Sequence, residues 1–252
     1  MCGRYVITSP PDAIRRLFGY PEQPNFPPRY NVAPTQPVPV VRQHGEVRQF
    51  TLMRWGLLPS WVKDPQAFTL LINARAETVN DKPAFRNAMR RRRCLLPADG
   101  FYEWRQAGAR KQPFFIRRRD SAPFAFAGLW ETWAGPGGEE IDTVAIITVP
   151  ANAALQPLHH RMPAILPPPA FAPWLDPRAD LAAATGLLTP APDENLEFFT
   201  VSEAVNKVAN DDPRNVAPLA APAPAPDAVP EPAPRLARRR AAAVNDAQGS
   251  LF

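Results

Sequence analysis

The sequence predicts an α+β fold: mostly antiparallel strands forming a curved, barrel-like sheet core, with a few peripheral helices. Three features point to it. Short runs rich in β-branched and aromatic residues recur at turn spacing across residues 38–201, the pattern of a sandwich or barrel. Helical signals are few and do not alternate with the strands as a parallel βαβ design requires. The chain has 252 residues, 34 of them proline, enough length for a proper core and a sign of long, ordered loops.

In chain order, residues 12–18 read as a helix opening after Ser9-Pro10-Pro11. Residues 38–42 and 47–57 flank His44-Gly45-Glu46 and read as a hairpin. A second helix is predicted over 83–92, closed by Arg90, Arg91, Arg92 and Arg93, whose charge suits a helix C-terminus. Strands follow at 94–96, 101–105 and 113–117, with a turn at Ala107-Gly108, then at 124–130 and 141–149 around Gly135-Pro136-Gly137-Gly138. A short helix at 170–174 and a strand at 196–201 complete the body.

The body spans residues 2–216. Residues 217–252 form a tail of alternating Ala and Pro that cannot build a core and is expected to be disordered, extended and solvated. The tail holds Arg238-Arg239-Arg240 and ends Gln248-Gly249-Ser250-Leu251-Phe252.

The net charge is +5, and lysine occurs only at positions 63, 82, 111 and 207. Arginine suits bidentate phosphate contacts, so an acidic partner such as nucleic acid fits. An Arg-, Ala- and Pro-rich codon composition explains the same excess, and composition does not choose between them. Two cysteines, Cys2 and Cys94, make no disulfide framework and suit a reduced cytosolic setting. No apolar segment follows Arg4 as in a signal peptide, and no run approaches the length of a membrane span. His44, His159 and His160 lack metal-ligand spacing, so neither metal nor cofactor is assigned.

Position 2 has a special chemical option. A small side chain there permits removal of Met1, leaving Cys2 with an α-amine and a thiol on adjacent carbons. An α-amine has a pKa of about 8, so part of it is unprotonated at neutral pH. It can attack an aldehyde to give an imine, which the sulfur closes to a five-membered thiazolidine. The plain alternative is a frayed terminus.

Three further segments place polar groups amid apolar strand sequence: residues 71–78 around Asn73 and Arg75, residues 99–104 with Glu103 among aromatics, and residues 158–163 with His159 and His160. Taken singly, Asn73 reads as a helix cap, Glu103 as a solvent-facing strand residue and His159 as a structural histidine. Together with Met1-Cys2-Gly3-Arg4, Arg29 to Pro34, Trp55-Gly56-Leu57, Pro59, Trp61 and Val201-Ser202 with Val205-Asn206, they form an ordered series. In these segments the chain resembles the SOS response-associated peptidase (SRAP) domain family, which covalently captures abasic sites in single-stranded DNA.

That resemblance implies a crosslinking, lyase-like activity with Cys2 as nucleophile. Glu103 is implied to move protons, Asn73 to hold the Cys2 amine and the sugar, and His159, first of the His-x-Arg-x-Pro pattern, to protonate the sugar oxygen. Desolvation by Phe101, Tyr102 and Trp104 is expected to raise the Glu103 pKa. DNA contacts are implied for Arg4, Asn31, Trp55, Trp61, Arg75 and Arg161, with Trp61 equally readable as loop packing. Two other activities stay open: a thiol (auto)peptidase using Cys2, and a non-covalent binder of single-stranded or modified DNA. The expected protein is a bacterial, cytoplasmic, nucleoid-associated monomer with no membrane partner. Gln248, Ser250, Leu251 and Phe252 resemble the peptide by which bacterial proteins dock on the polymerase sliding clamp.

Overall fold

A computed structural model describes residues 2–108 and 110–219. In chain order the elements are β1 (Tyr5–Ile7), α1 (Pro11–Phe18), β2 (Arg29–Val32), β3 (Pro37–His44), β4 (Val47–Trp55), β5 (Asn73–Arg75), α2 (Arg86–Arg91), β6 (Arg93–Ala98) and β7 (Gly100–Ala107). There follow β8 (Arg110–Arg118), β9 (Phe124–Ala134), β10 (Glu140–Pro150), β11 (Arg161–Pro163), β12 (Ile165–Leu166), α3 (Phe171–Leu175), α4 (Leu181–Gly186) and β13 (Leu196–Thr200). Short 3-10 turns include Ala76–Thr78 and Glu203–Asn206.

Five strands close on themselves. β10 pairs with β4 in parallel, and β4–β3, β3–β6, β6–β9 and β9–β10 pair antiparallel, so the ring β10-β4-β3-β6-β9 is a mixed barrel. Closure removes the open edges a free sheet would expose. The far end of β10 carries β5 in parallel and β11 antiparallel, which brings two short polar strands to one end of the barrel.

A second, wholly antiparallel sheet runs β13-β8-β7-β1-β2. Side chains alternate between its faces. Tyr5 and Phe101 pack on the barrel, with Tyr5–Phe126 and Phe101–Phe126 ring centroids 5.8 and 6.0 Å apart. Val6, Tyr102 and Phe115 fill a separate cluster on the other face with Val201 and Val205. Gly100, where β7 begins, has no room for a side chain: a Cβ there would lie 2.7 Å from the Ile116 carbonyl oxygen.

The helices follow their end signals. α1 has proline in its first turn and ends at Gly19, whose φ of 69° is left-handed. α2 is shorter than its predicted span, because residues 82–85 form turns before it. Arg93, just beyond α2, donates to the carbonyls of Met89 (2.6 Å), Arg90 (3.2 Å) and Trp174 (2.6 Å), a literal version of the expected charge at a helix C-terminus. β4 stops at Trp55 because Gly56 takes a φ of 129°.

The folded body continues past the expected boundary at residue 216: Leu219 N–H donates to Thr200 O at 2.9 Å. Residues 220–252, with the Ala/Pro tail and its terminal Gln248, Ser250, Leu251 and Phe252, lie outside the described residues.

Candidate active site

β1 carries the N-terminus to the site. Its register with β7 sets Tyr5 opposite Phe101, and Tyr102 N–H donates to Arg4 O at 3.0 Å. Continuing that register puts Gly3 opposite Glu103. Cys2 follows and is fully buried in a chain that still carries Met1. From the barrel side, Asn73 on β5 donates through Nδ2 to Cys2 O at 2.9 Å. Asn73 Oδ1 is buried and accepts no hydrogen bond among the described residues, so it is an acceptor positioned beside Cys2.

Glu103 is 5% exposed. Burial pushes its carboxyl above the ordinary range, as the sequence suggests, but by a different route. Strand alternation puts Glu103 on the barrel-facing side with Phe101. Tyr102 and Trp104 lie on the opposite face with ring centroids 6.3 Å apart, and Trp104 Nε1–H donates to Asn206 Oδ1 at 2.8 Å. Of the three aromatics expected to surround Glu103, only Phe101 shares its face, with Phe114 directly opposite on β8. Burial, and then the Glu103 charge, push the Cys2 thiol far above the ordinary thiol range.

His159 and His160 precede β11 and stack, with centroids 4.3 Å apart and planes 25° apart. Arg161 N–H donates to His159 Nδ1 at 2.9 Å. Arg161 O also lies 3.1 Å from Nδ1; because the backbone N–H can only donate, the neutral His159 ring is assigned its proton on Nε2. Burial lowers the His159 pKa, and the adjacent His159 lowers that of His160, which favours the uncharged ring at both positions.

Cys2, Asn73 and Glu103 come together, and His159 and His160 lead into β11, which pairs with the same end of β10 as β5 does. The expected DNA contacts divide. Trp55 is fully buried and donates through Nε1 to Ile72 O at 2.9 Å, so it is a core residue with no face for a base. Asn31 is fully buried too. It accepts from Arg4 Nη1 (2.7 Å) and donates to the carbonyls of Val205 (3.1 Å), Lys207 (3.0 Å) and Asn210 (2.9 Å).

Arg4 also donates to Val205 O at 2.9 Å; with Asn31 it anchors the 203–210 loop against β1 and β2. Arg161 is 9% exposed and forms a bidentate pair with Glu77 (2.5 and 2.9 Å), with a further bond to Thr148 O at 2.6 Å. Its guanidinium is held by Glu77 and Thr148 in this structure. Arg75 is exposed. Trp61 is 58% exposed and meets Phe68 edge to face at 5.7 Å.

Glu77 is the participant to which the sequence assigned no role. It ties the turn after β5 to β11 across β10, and so holds Asn73 and His159 in one frame. Its position two residues after Arg75 was visible, but an acid exposed on a turn carries no signal for a partner 84 residues away.

Residues 1–208 match the model of the family described as "SOS response associated peptidase (SRAP)". The chain belongs to the SRAP family. Among SRAP relatives, it is 38% identical over 218 residues to the abasic site processing protein YoqW of Bacillus subtilis (strain 168), covering 84% of this chain and 97% of that protein. It is 34% identical over 263 residues to the abasic site processing protein HMCES of Gallus gallus, covering 87% and 78%. The SRAP fold recurs in a crystal structure of a Bacteroides thetaiotaomicron protein (TM-score 0.79, 29% identity, 87% of this chain and all of that one). A phage-related protein from Bordetella bronchiseptica is also similar (TM-score 0.66, 29% identity, 80% and 95%).

Proposed function

We propose that this protein senses abasic sites in single-stranded DNA and captures them through Cys2 as a thiazolidine crosslink, shielding them during replication and repair. The observation that carries the reading is the junction of Cys2, Asn73 and Glu103: a potential 1,2-aminothiol held by an amide and facing a buried carboxyl. The SRAP relatives named for abasic site processing support it.

In this mechanism Met1 is removed and the Cys2 amine becomes the first nucleophile. Asn73 Oδ1 accepts an amine N–H and aims the lone pair. His159 Nε2–H hydrogen-bonds to the sugar ring oxygen, which gains a proton while the C1 hydroxyl gives one up through solvent, so the ring opens to the aldehyde with no net proton change. The amine nitrogen adds to the carbonyl carbon, and Glu103 takes the proton released. Glu103 delivers that proton to the alkoxide oxygen, giving the carbinolamine, and then relays the second nitrogen proton to the hydroxyl, which leaves as water and gives the imine. The Cys2 sulfur adds to the imine carbon and its proton passes to nitrogen, closing the ring. Overall, aldehyde and aminothiol give thiazolidine and one water.

The pKa pattern favours this order over a thiol peptidase. Activated cysteines have lowered pKa values, whereas burial drives that of Cys2 up. An amine-first route needs no resident thiolate. Arg75 and Trp61 are the exposed residues offered for phosphate contact and base stacking, and the tail is proposed to tether the domain to a sliding clamp.

The test is a denaturing gel with a single-stranded oligonucleotide bearing one abasic site. A heat-stable shifted band is expected with abasic and not with intact DNA, and it must vanish in Cys2→Ala and in a protein with a permanent N-terminal extension. Normal crosslinking by the extended protein rules out the aminothiol.

A further inference from the structure

The hairpin of β7 and β8 outruns its sheet. On one side, β1 pairs with β7 no farther than Phe101, with one more bond at Tyr102. On the other, β13 pairs with β8 from Phe114 onward, with one more bond at Pro113. Beyond these, the pairs Arg105↔Gln112, Gln106↔Lys111 and Ala107↔Arg110 have no third strand among the described residues. The result is a two-stranded arm rising directly from the strand position of Glu103.

The charge on the arm has one sign. Residues 104–112 contain Arg105, Arg110 and Lys111 and no Asp or Glu, and all three cations are exposed. Alternation and register sort them by face. Arg105 lies two residues beyond Glu103 on the same face, and its guanidinium sits over the Phe114 ring at 5.0 Å, with Phe114 directly opposite Glu103. Arg110 pairs with Ala107, two residues farther out, and so shares that face. At 3.3 Å per residue, the Arg105 and Arg110 levels stand about 7 and 13 Å out from Glu103. Lys111, opposite Gln106, is on the other face.

We infer that this face of the arm is a phosphate-binding track for the DNA strand running on from the captured residue, with Arg105 and Arg110 as its contacts. The inference rests on the crosslinking reading for what sits at Glu103, but binding along the track needs no covalent step. Three features fit a nucleic-acid backbone as occupant: a positive face with no acid of the arm beyond Glu103, a guanidinium pre-set over an aromatic ring, and continuity with the reacting carboxyl. The ribbon is held only at its base, so it can follow a strand without disturbing the barrel.

The experiment measures binding of the full-length protein to an intact single-stranded oligonucleotide by fluorescence anisotropy over a salt series. Arg105→Gln with Arg110→Gln removes two contacts. At about 0.7 per contact, the log–log salt slope should flatten by about 1.4, so from 50 to 200 mM salt the wild type should lose about sevenfold more affinity than the variant. Replacing both arginines with lysine keeps the charge and should keep most of the slope. Lys111→Gln, on the other face, should change the slope less than either arginine alone. Equal slopes for the Gln pair and wild type, with unchanged thermal unfolding, overturn the inference, and so does a Lys111→Gln effect as large as that of the pair. The abasic gel above reports separately: a wild type that fails to crosslink removes the covalent reading and leaves the salt series standing.

Discussion

Glu103→Gln should make the protein more stable and less active at once. The substitution keeps the shape of the side chain and removes a charge from a position 5% exposed. Burial raises the carboxyl above its ordinary range, so the folded protein holds this proton more tightly than the unfolded chain does. Between the unfolded value of about 4.3 and the raised folded value, the native state carries the extra proton, and stability falls as pH rises. Below that window there is no cost; above it the cost is complete.

Gln cannot ionise, so the variant lacks this slope. Glu131 is also buried and raised, but it is present in both proteins and cancels in the difference. Relief of a destabilising active-site group is typically worth about 1 kcal/mol, or about 3 °C in Tm for a domain of this size. Thermal melts of both proteins from about pH 5 to about pH 9 give the comparison: curves that converge at the acid end and separate in favour of the variant at the alkaline end. The rate of band formation with abasic DNA should meanwhile fall by about 100-fold or more, the usual worth of a positioned acid–base group. Parallel melting curves, or a variant that crosslinks at the wild-type rate, would show that Glu103 is neither desolvated nor the proton carrier.

Trp55→Ala should cost about 3–5 kcal/mol of unfolding free energy in denaturant titrations, as expected of a core aromatic. A variant with normal stability and weakened DNA binding would return this residue to the DNA surface. Arg75→Ala should flatten the salt slope for single strands by about 0.7 without altering the melt, and an unchanged slope removes it from the binding face. The last ten residues, labelled and titrated with purified sliding clamp, should bind more tightly than a Leu251→Ala, Phe252→Ala control, since those two apolar side chains fill the clamp pocket in this reading. Equal anisotropy curves for the two peptides dispose of the tether.

What the sequence disclosed depended on how the signal was encoded. The long strands β3, β4, β8, β9 and β10 could be read from runs of β-branched and aromatic residues, because 8 to 11 residues leave such a run room to show. The strands that build the site could not. β1, β5 and β11 have three residues each, too few for a period to emerge, and they exist because β7 and β10 offer edges to pair with. Their presence was legible only chemically, as polar residues set in apolar sequence.

The same chemical signal could not separate contact from support. Arg4, Arg75 and Arg161 each stand two residues from a position proposed as catalytic, and their sequence context is alike. In the fold, Arg161 meets Glu77 across β10, Arg4 meets Asn31 and the 203–206 turn, and Arg75 stays in solvent. An arginine faces inward only when a distant acid or carbonyl waits there, and that distance is set by strand pairing. Trp55 and Trp61 show the same limit for aromatics. Trp55 ends a barrel strand and hands its N–H to Ile72, whereas Trp61, six residues on and past the bend at Gly56, is left facing outward. Residue type pointed to the chemistry proposed for the site; strand register decides which of those residues face it and which are engaged elsewhere in the fold.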